Sequence, residues 1–292
     1  MSVLAAYLPE KGGRATLQLA AALARGLGFP LAIATILTKP WESSSSAAKV
    51  DADFETWSRG FAADAERQAR AYLAEIAPGV DVQFHHRRGK SVSATLIDVA
   101  ADIGAALLVL GSSPDGHLGQ VTLSSTSSRL LHSSPLAVAL APRGYRGPKR
   151  DALSRVTCAA TGEDEQAVVR SQQFAQRFGV RLRVLTLAVR GRTMWPSSTG
   201  FDAEDDVLAA WTEQAQDGID ALRRRGVIPA EVDTVVGSGR GWRDAIDSVD
   251  WDDGELLVVG SRPEGPVARV FLGSRATKIL RHAPVPVLLL PG

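Results

Sequence analysis

The sequence predicts an α/β protein built as a tandem repeat of two doubly wound parallel sheets, five strands in each. Three observations predict it. The chain has 292 residues, about twice the size of a common single domain. Short unbroken apolar runs alternate with amphipathic stretches of helical period, the pattern of a parallel sheet covered on both faces. Two segments also repeat one another at a fixed distance.

That repeat is clearest late in each half. Residues 107–114 read LLVLGSSP and residues 256–263 read LLVVGSRP. Gly111 and Gly260 are 149 residues apart, and Pro114/Pro263, Leu123/Leu272, Ser125/Ser274, Pro135/Pro284, Val138/Val287 and Pro142/Pro291 keep that spacing. Upstream, Ile97-Asp98 matches Ile246-Asp247 at the same offset. Strand, loop, helix and strand therefore stay in register without an insertion. The offset drifts toward the start of each half, as loops of differing length would cause.

Each element has a local reason. In the first half, strands are expected at 3–8, 31–37, 80–86, 106–111 and 136–141, each an apolar run. Helices are expected at 16–28, closed by Gly28, then from about 51 to 76, at 91–103 with Ser91 as cap, and at 124–132. The second half gives strands at 155–160, 181–188, 231–236, 255–260 and 285–290, and helices at 164–178, 204–225, 242–250 and 274–282. Polar loops occupy 39–49 and 190–203. Domains of 1–142 and 153–292 follow, joined by the polar, basic, Gly- and Pro-bearing segment 143–152.

Composition narrows the function. Lys and Arg number 33 against 32 Asp and Glu, so neither nucleic acid nor an anionic membrane is the expected partner. The N-terminus lacks a basic segment, and its apolar run breaks at Pro9 and Glu10, so no signal peptide is read there. The expected location is the cytoplasm. One cysteine, Cys158, excludes an internal disulfide framework and reads as a small buried hydrophobe. The five histidines show no metal-ligand spacing, and His132 and His282 fall where helix C-terminal roles are the default. No nucleophile elbow or paired carboxylates stand out, so no catalytic residue is assigned.

In an open parallel sheet, ligands bind beyond the carboxyl ends of the strands. The second half offers GSRPEGPVARVFLGS (260–274) there. Gly260 ends a strand, Gly265 lies in the loop, and Gly273-Ser274 opens a helix whose free N–H groups suit a phosphate. Arg262 is placed to reach the same anion. The alternative reading is plain turn chemistry at Gly260 and a simple cap at Ser274. The first-half loop, GSSPDGHLGQVTLSS (111–125), has the same length but carries Ser124 where Gly273 stands, and Gly116 and Gly119 are expected to leave it flexible. No GK[ST] is present, so this is not the Walker loop.

On these residues the chain resembles the universal stress proteins, tandem two-domain bacterial type, over nearly its whole length. The family's ATP motif is Gly, two residues, Gly, nine residues, then Gly-Ser or Gly-Thr. Gly260, Gly273 and Ser274 match it, and GSRATKILRHAPVPVLLL (273–290) is similar to the family's closing helix and strand. The resemblance implies an adenine-nucleotide alpha hydrolase-like fold with strand order 3-2-1-4-5. It also implies ATP as the cofactor of the second domain, and pairing of the two domains through their fifth strands. The departures are specific. Pro114 and Pro263 replace the middle glycine, and proline removes an N–H. Leu8 and Thr161 stand where ATP-binding members carry aspartate. Thr161 retains one hydroxyl, and with Gly162 and Val184 it forms the neighbouring ligand-contact set.

Trp41 and Trp195 are read as either cleft or packing residues, Trp57 and Trp211 as core or interface. The expected function is a non-catalytic stress-response protein binding ATP in its second domain. The alternative is a signalling or dimerisation scaffold that binds no nucleotide. An adenylyl-transferring ligase is the weakest reading, having no residues for a second substrate. Whether two chains form a homodimer, or a further protein partner binds, is left open.

Overall fold

A computed structural model describes residues 1–9, 12–38, 48–149, 152–160, 165–189, 201–261 and 273–291, with side chains from 52 in the second helix and from 206 in the sixth. Two compact units result, Met1–Gly147 and Pro148–Gly292.

In the first unit the order is β1 (Ser2–Ala6), α1 (Gly13–Leu27), β2 (Leu31–Leu37), α2 (Ala48–Ile76), β3 (Val82–Arg88), α3 (Val92–Asp102), β4 (Ala105–Gly111), α4 (Ser125–Ser133) and β5 (Ala137–Ala141). All its ladders are parallel, in the order β3-β2-β1-β4-β5. Val3, Leu4, Leu31, Ile33, Leu107 and Leu108 are essentially inaccessible, which is why these runs read as unbroken apolar sequence. Gly28 adopts φ 66° and ends α1, its N–H returning to the carbonyls of Ala24 and Arg25. Ser91 accepts from the Ala94 N–H to start α3.

The second unit repeats the pattern with β6 (Arg155–Ala159), α5 (Glu165–Phe178), β7 (Arg181–Val189), α6 (Phe201–Arg224), β8 (Asp233–Gly239), α7 (Trp242–Asp247), β9 (Glu255–Gly260), α8 (Ser274–His282) and β10 (Val287–Leu290). Its strands run β8-β7-β6-β9-β10, again all parallel and again 3-2-1-4-5. The pairing registers confirm the repeat. Leu108 faces Val138, and Leu257 faces Val287, the same pair displaced by 149 residues. Leu4 faces Leu108 as Thr157 faces Leu257, so Leu4 and Thr157 are equivalent positions.

The two units differ where their strands begin. Glu255 is fully buried at the start of β9. Its carboxylate accepts from Arg183 Nη2 at 2.6 Å, Arg155 Nη2 at 2.7 Å, the Asp252 N–H at 2.9 Å and the Thr157 hydroxyl. Arg183 also donates to the Asp250 carbonyl at 2.8 Å and lies 5.3 Å from the Trp251 ring. In the first unit the equivalent positions are Ala106, Ala32, Ser2 and Leu4, with no charge among them. Among the described residues no helix is long and apolar enough to cross a membrane.

Candidate functional site

Each unit has a cleft at the carboxyl ends of its strands, where doubly wound sheets bind ligands. The first encloses about 590 Å³ and the second about 650 Å³. Size therefore does not distinguish them; their linings do.

The first cleft is bounded by Tyr7 and Leu8 after β1, by Val92 and Leu96 of α3, and by the loop after β4 with the start of α4. Burial pushes the Tyr7 phenol above its ordinary pKa, against the opposing pull of Arg14. Gly111 has a packing reason. A methyl group there would lie 2.6 Å from Thr16 Oγ1 and 3.3 Å from the Gly12 carbonyl. The loop after it is not the flexible segment its glycines suggested. Ser112 donates to the Ala141 carbonyl at 2.8 Å, and the Ser113 N–H meets the Thr122 carbonyl at 2.8 Å. Arg143 bonds to Gly116, Gly119 and Gln120. These bonds close the loop on itself.

At the start of α4, Ser124 and Ser127 form a reciprocal capping box. The Ser124 side chain accepts from the Ser127 N–H at 3.2 Å, and the Ser124 N–H donates to Ser127 Oγ at 2.7 Å. Two of the donors that would hold an anion are already used.

The second unit reverses this. Gly273 and Ala276 stand at the two box positions, so among the described residues α8 starts without a side-chain cap. Gly273 has φ −63° and ψ 164°, ordinary extended backbone, and a Cβ there would meet nothing within 4 Å. Neither conformation nor packing against the described residues requires glycine. Ser274 is the exposed first residue of α8, and Gly260 ends β9 opposite Leu290. Arg275 follows Ser274 into the cleft wall, where the first unit has Thr126.

Of the residues expected from sequence, Gly260, Gly273 and Ser274 fall at the strand end and helix start as read, although none is itself a cleft-lining residue. Thr161, Gly162, Arg262, Gly265, Pro263, Trp41 and Trp195 lie outside the described residues. Val184 is fully buried in β7 and is not among the described residues lining the cleft. Trp211, read as core or interface, is not a core residue: it lines the second cleft and is 43% exposed. Trp242, at the first position of α7, lines the same cleft and was not singled out. Its place after β8, at the carboxyl end of the sheet, is the signal that would have found it. His282 is not the charged helix terminus the sequence suggested. Burial, with Arg243 and Arg281, holds its pKa below the ordinary value despite Asp247.

Comparison with known proteins agrees with this architecture. The family model described as the universal stress protein family matches residues 1–142 and 155–291. A universal stress protein of Mycobacterium tuberculosis is 47% identical over 294 residues, covering 100% of both chains. One of Mycolicibacterium smegmatis is 28% identical, covering 72% of this chain and 69% of its own. Among solved structures, a universal stress protein from Archaeoglobus fulgidus covers 99% of this chain and 97% of its own at 17% identity and TM-score 0.60, a likeness of fold. The chain belongs to the universal stress protein family, with the family domain present twice.

Proposed function

We propose that this chain is a non-catalytic stress-response protein of the cytoplasm that binds ATP in its second domain, with the phosphates at the start of α8. One observation carries the reading. The helix start that a capping box closes in the first domain has no side-chain cap among the described residues of the second, where Gly273 and Ala276 replace two serines. Free N–H groups and the positive end of the helix favour an anion there, and Arg275 adds a guanidinium at the cleft wall. Gly260, Ser274 and, from the sequence, Arg262, Gly265 and Thr161 complete the proposed binding set.

A second reading is favoured by Pro263 at the middle glycine position and by the missing strand-one aspartate. In it, the protein is a signalling or dimerisation scaffold without nucleotide. Calorimetric titration of ATP and ADP into the purified chain separates the two. Saturable heat that a Gly273→Val, Ser274→Ala variant loses supports ATP binding. No heat at millimolar nucleotide favours the scaffold.

A further inference from the structure

We propose that the second-domain cleft selects its ligand by an aromatic ring, with Trp211 and Trp242 as the specificity-determining residues. The ligand class is a nucleotide held by its base as well as by its phosphates. The proposal rests on the reading that an anion sits at the start of α8.

Trp211 leaves 43% of a large apolar side chain exposed at the cleft wall. Trp57 is 54% exposed in the first domain, so what marks Trp211 is its place on the cleft wall and not its exposure. On the same face of α6, three, four and seven residues further on, lie Gln214, Ala215 and Gly218, all at the cleft. Gly218 and Ala215 leave room beside the indole, and Gln214 and Asp217 bring polar groups that can bond to a base edge or a sugar hydroxyl. Trp242 faces the cleft from α7, and Lys278 of α8 stands 5.4 Å from its ring centroid. The cleft thus has aromatic surface supplied by two helices, and the guanidinium of Arg275 from α8. That division matches a ligand with a flat apolar ring and an anionic tail.

The first domain lacks these features. The position equivalent to Trp242 is Ser93. Trp57 of α2 does not line the first cleft; its ring lies 5.6 Å from Phe54 and 5.4 Å from Phe61, in a stack along its own helix. Among the described residues, indole rings line the second cleft, whereas the first has the phenol of Tyr7 as its aromatic surface. Arg275, in the first turn of α8, lines the same cleft as the two indoles, which brings the helix start beside the aromatic wall as a single amphipathic ligand requires.

The test is calorimetry on the full chain with three probes: ATP, inorganic tripolyphosphate and adenosine. ATP is expected to bind at least tenfold more tightly than tripolyphosphate. Trp211→Leu is expected to weaken ATP about tenfold or more, the range for losing one base–aromatic stack, and to leave tripolyphosphate unchanged. Trp211→Phe should restore most of the loss, which separates stacking from misfolding. Trp242→Leu should act in the same direction. Equal affinity for ATP and tripolyphosphate, or a Trp211→Leu loss that falls equally on both, would overturn the proposal while leaving the phosphate site standing. Adenosine binding that depends on Trp211, with silent tripolyphosphate, would support the ring site and overturn the phosphate reading. Silence with all three probes overturns both.

Discussion

The two domains share strand order, pairing register and cleft volume, yet they have resolved opposite problems in opposite ways. The first keeps an apolar base to its sheet and closes the start of α4 with serines. The second buries a carboxylate between two arginines at the base and leaves the start of α8 uncapped. A repeated scaffold therefore does not imply a repeated site. With Gly273 at its N-cap, helix α8 forgoes about a few tenths of a kcal/mol relative to serine, and a helix start without a side-chain cap among the described residues, beside a cleft, is where binding is to be sought.

The largest expected effect breaks the comparison at the base of the sheet. Glu255→Ala strands Arg183 and Arg155, and losing one partner of a buried pair costs about 3–5 kcal/mol. Hydrogen exchange should show the loss in β6, β7 and β9, with the first domain unchanged. The volume-matched double substitution Glu255→Leu, Arg183→Met removes both charges. It should recover most of that stability, because replacing a buried pair by apolar side chains is often neutral or better.

Next come the caps. Ser124→Ala should lower first-domain stability by about 1 kcal/mol, and Ser124→Gly by a few tenths, as read by chemical denaturation. Ser124→Gly should also give the first cleft a weak affinity for tripolyphosphate that the native domain lacks. An unchanged affinity would mean that the closed loop 112–123, rather than the cap, excludes the anion.

The smallest effect is a pH dependence. His282 is held neutral by burial beside Arg243 and Arg281, so its folded pKa lies below its unfolded value near 6.5. The unfolded chain then binds more protons, and this contribution is complete above pH 6.5 and is lost as pH falls through the folded pKa. His282→Gln should flatten the decline in thermal stability between neutral pH and pH 5. A steeper decline would contradict the assignment.

Much of this architecture was legible in the sequence because buried parallel strands cannot hide. LLVLG and LLVVG announce themselves, and the equal loop after each kept the repeat in register. The edges were less clear. Strands were expected at 80–86 and 231–236, whereas β3 and β8 run from Val82 to Arg88 and from Asp233 to Gly239. Those strands are only half buried, and polar residues such as His85, His86 and Ser238 blur their ends. The buried charge cluster was missed for another reason. Arg155, Arg183 and Glu255 each open or interrupt a different strand, and one charge near a strand end looks solvated until the sheet brings three together. The serine box escaped because its third residue is Ser127 rather than the glutamate or glutamine of the usual pattern. Trp211 was read as core or interface because helical periodicity does not say what a helix face meets.

The central claim is that the cap decides which domain binds. Gly273→Ser tests it most directly, since Gly273 has an extended backbone and a Cβ there meets none of the described residues, so serine suits the position. The account predicts that this variant folds with equal or slightly greater stability and loses ATP binding by calorimetry at least tenfold. Unchanged ATP affinity in a folded Gly273→Ser protein would contradict it.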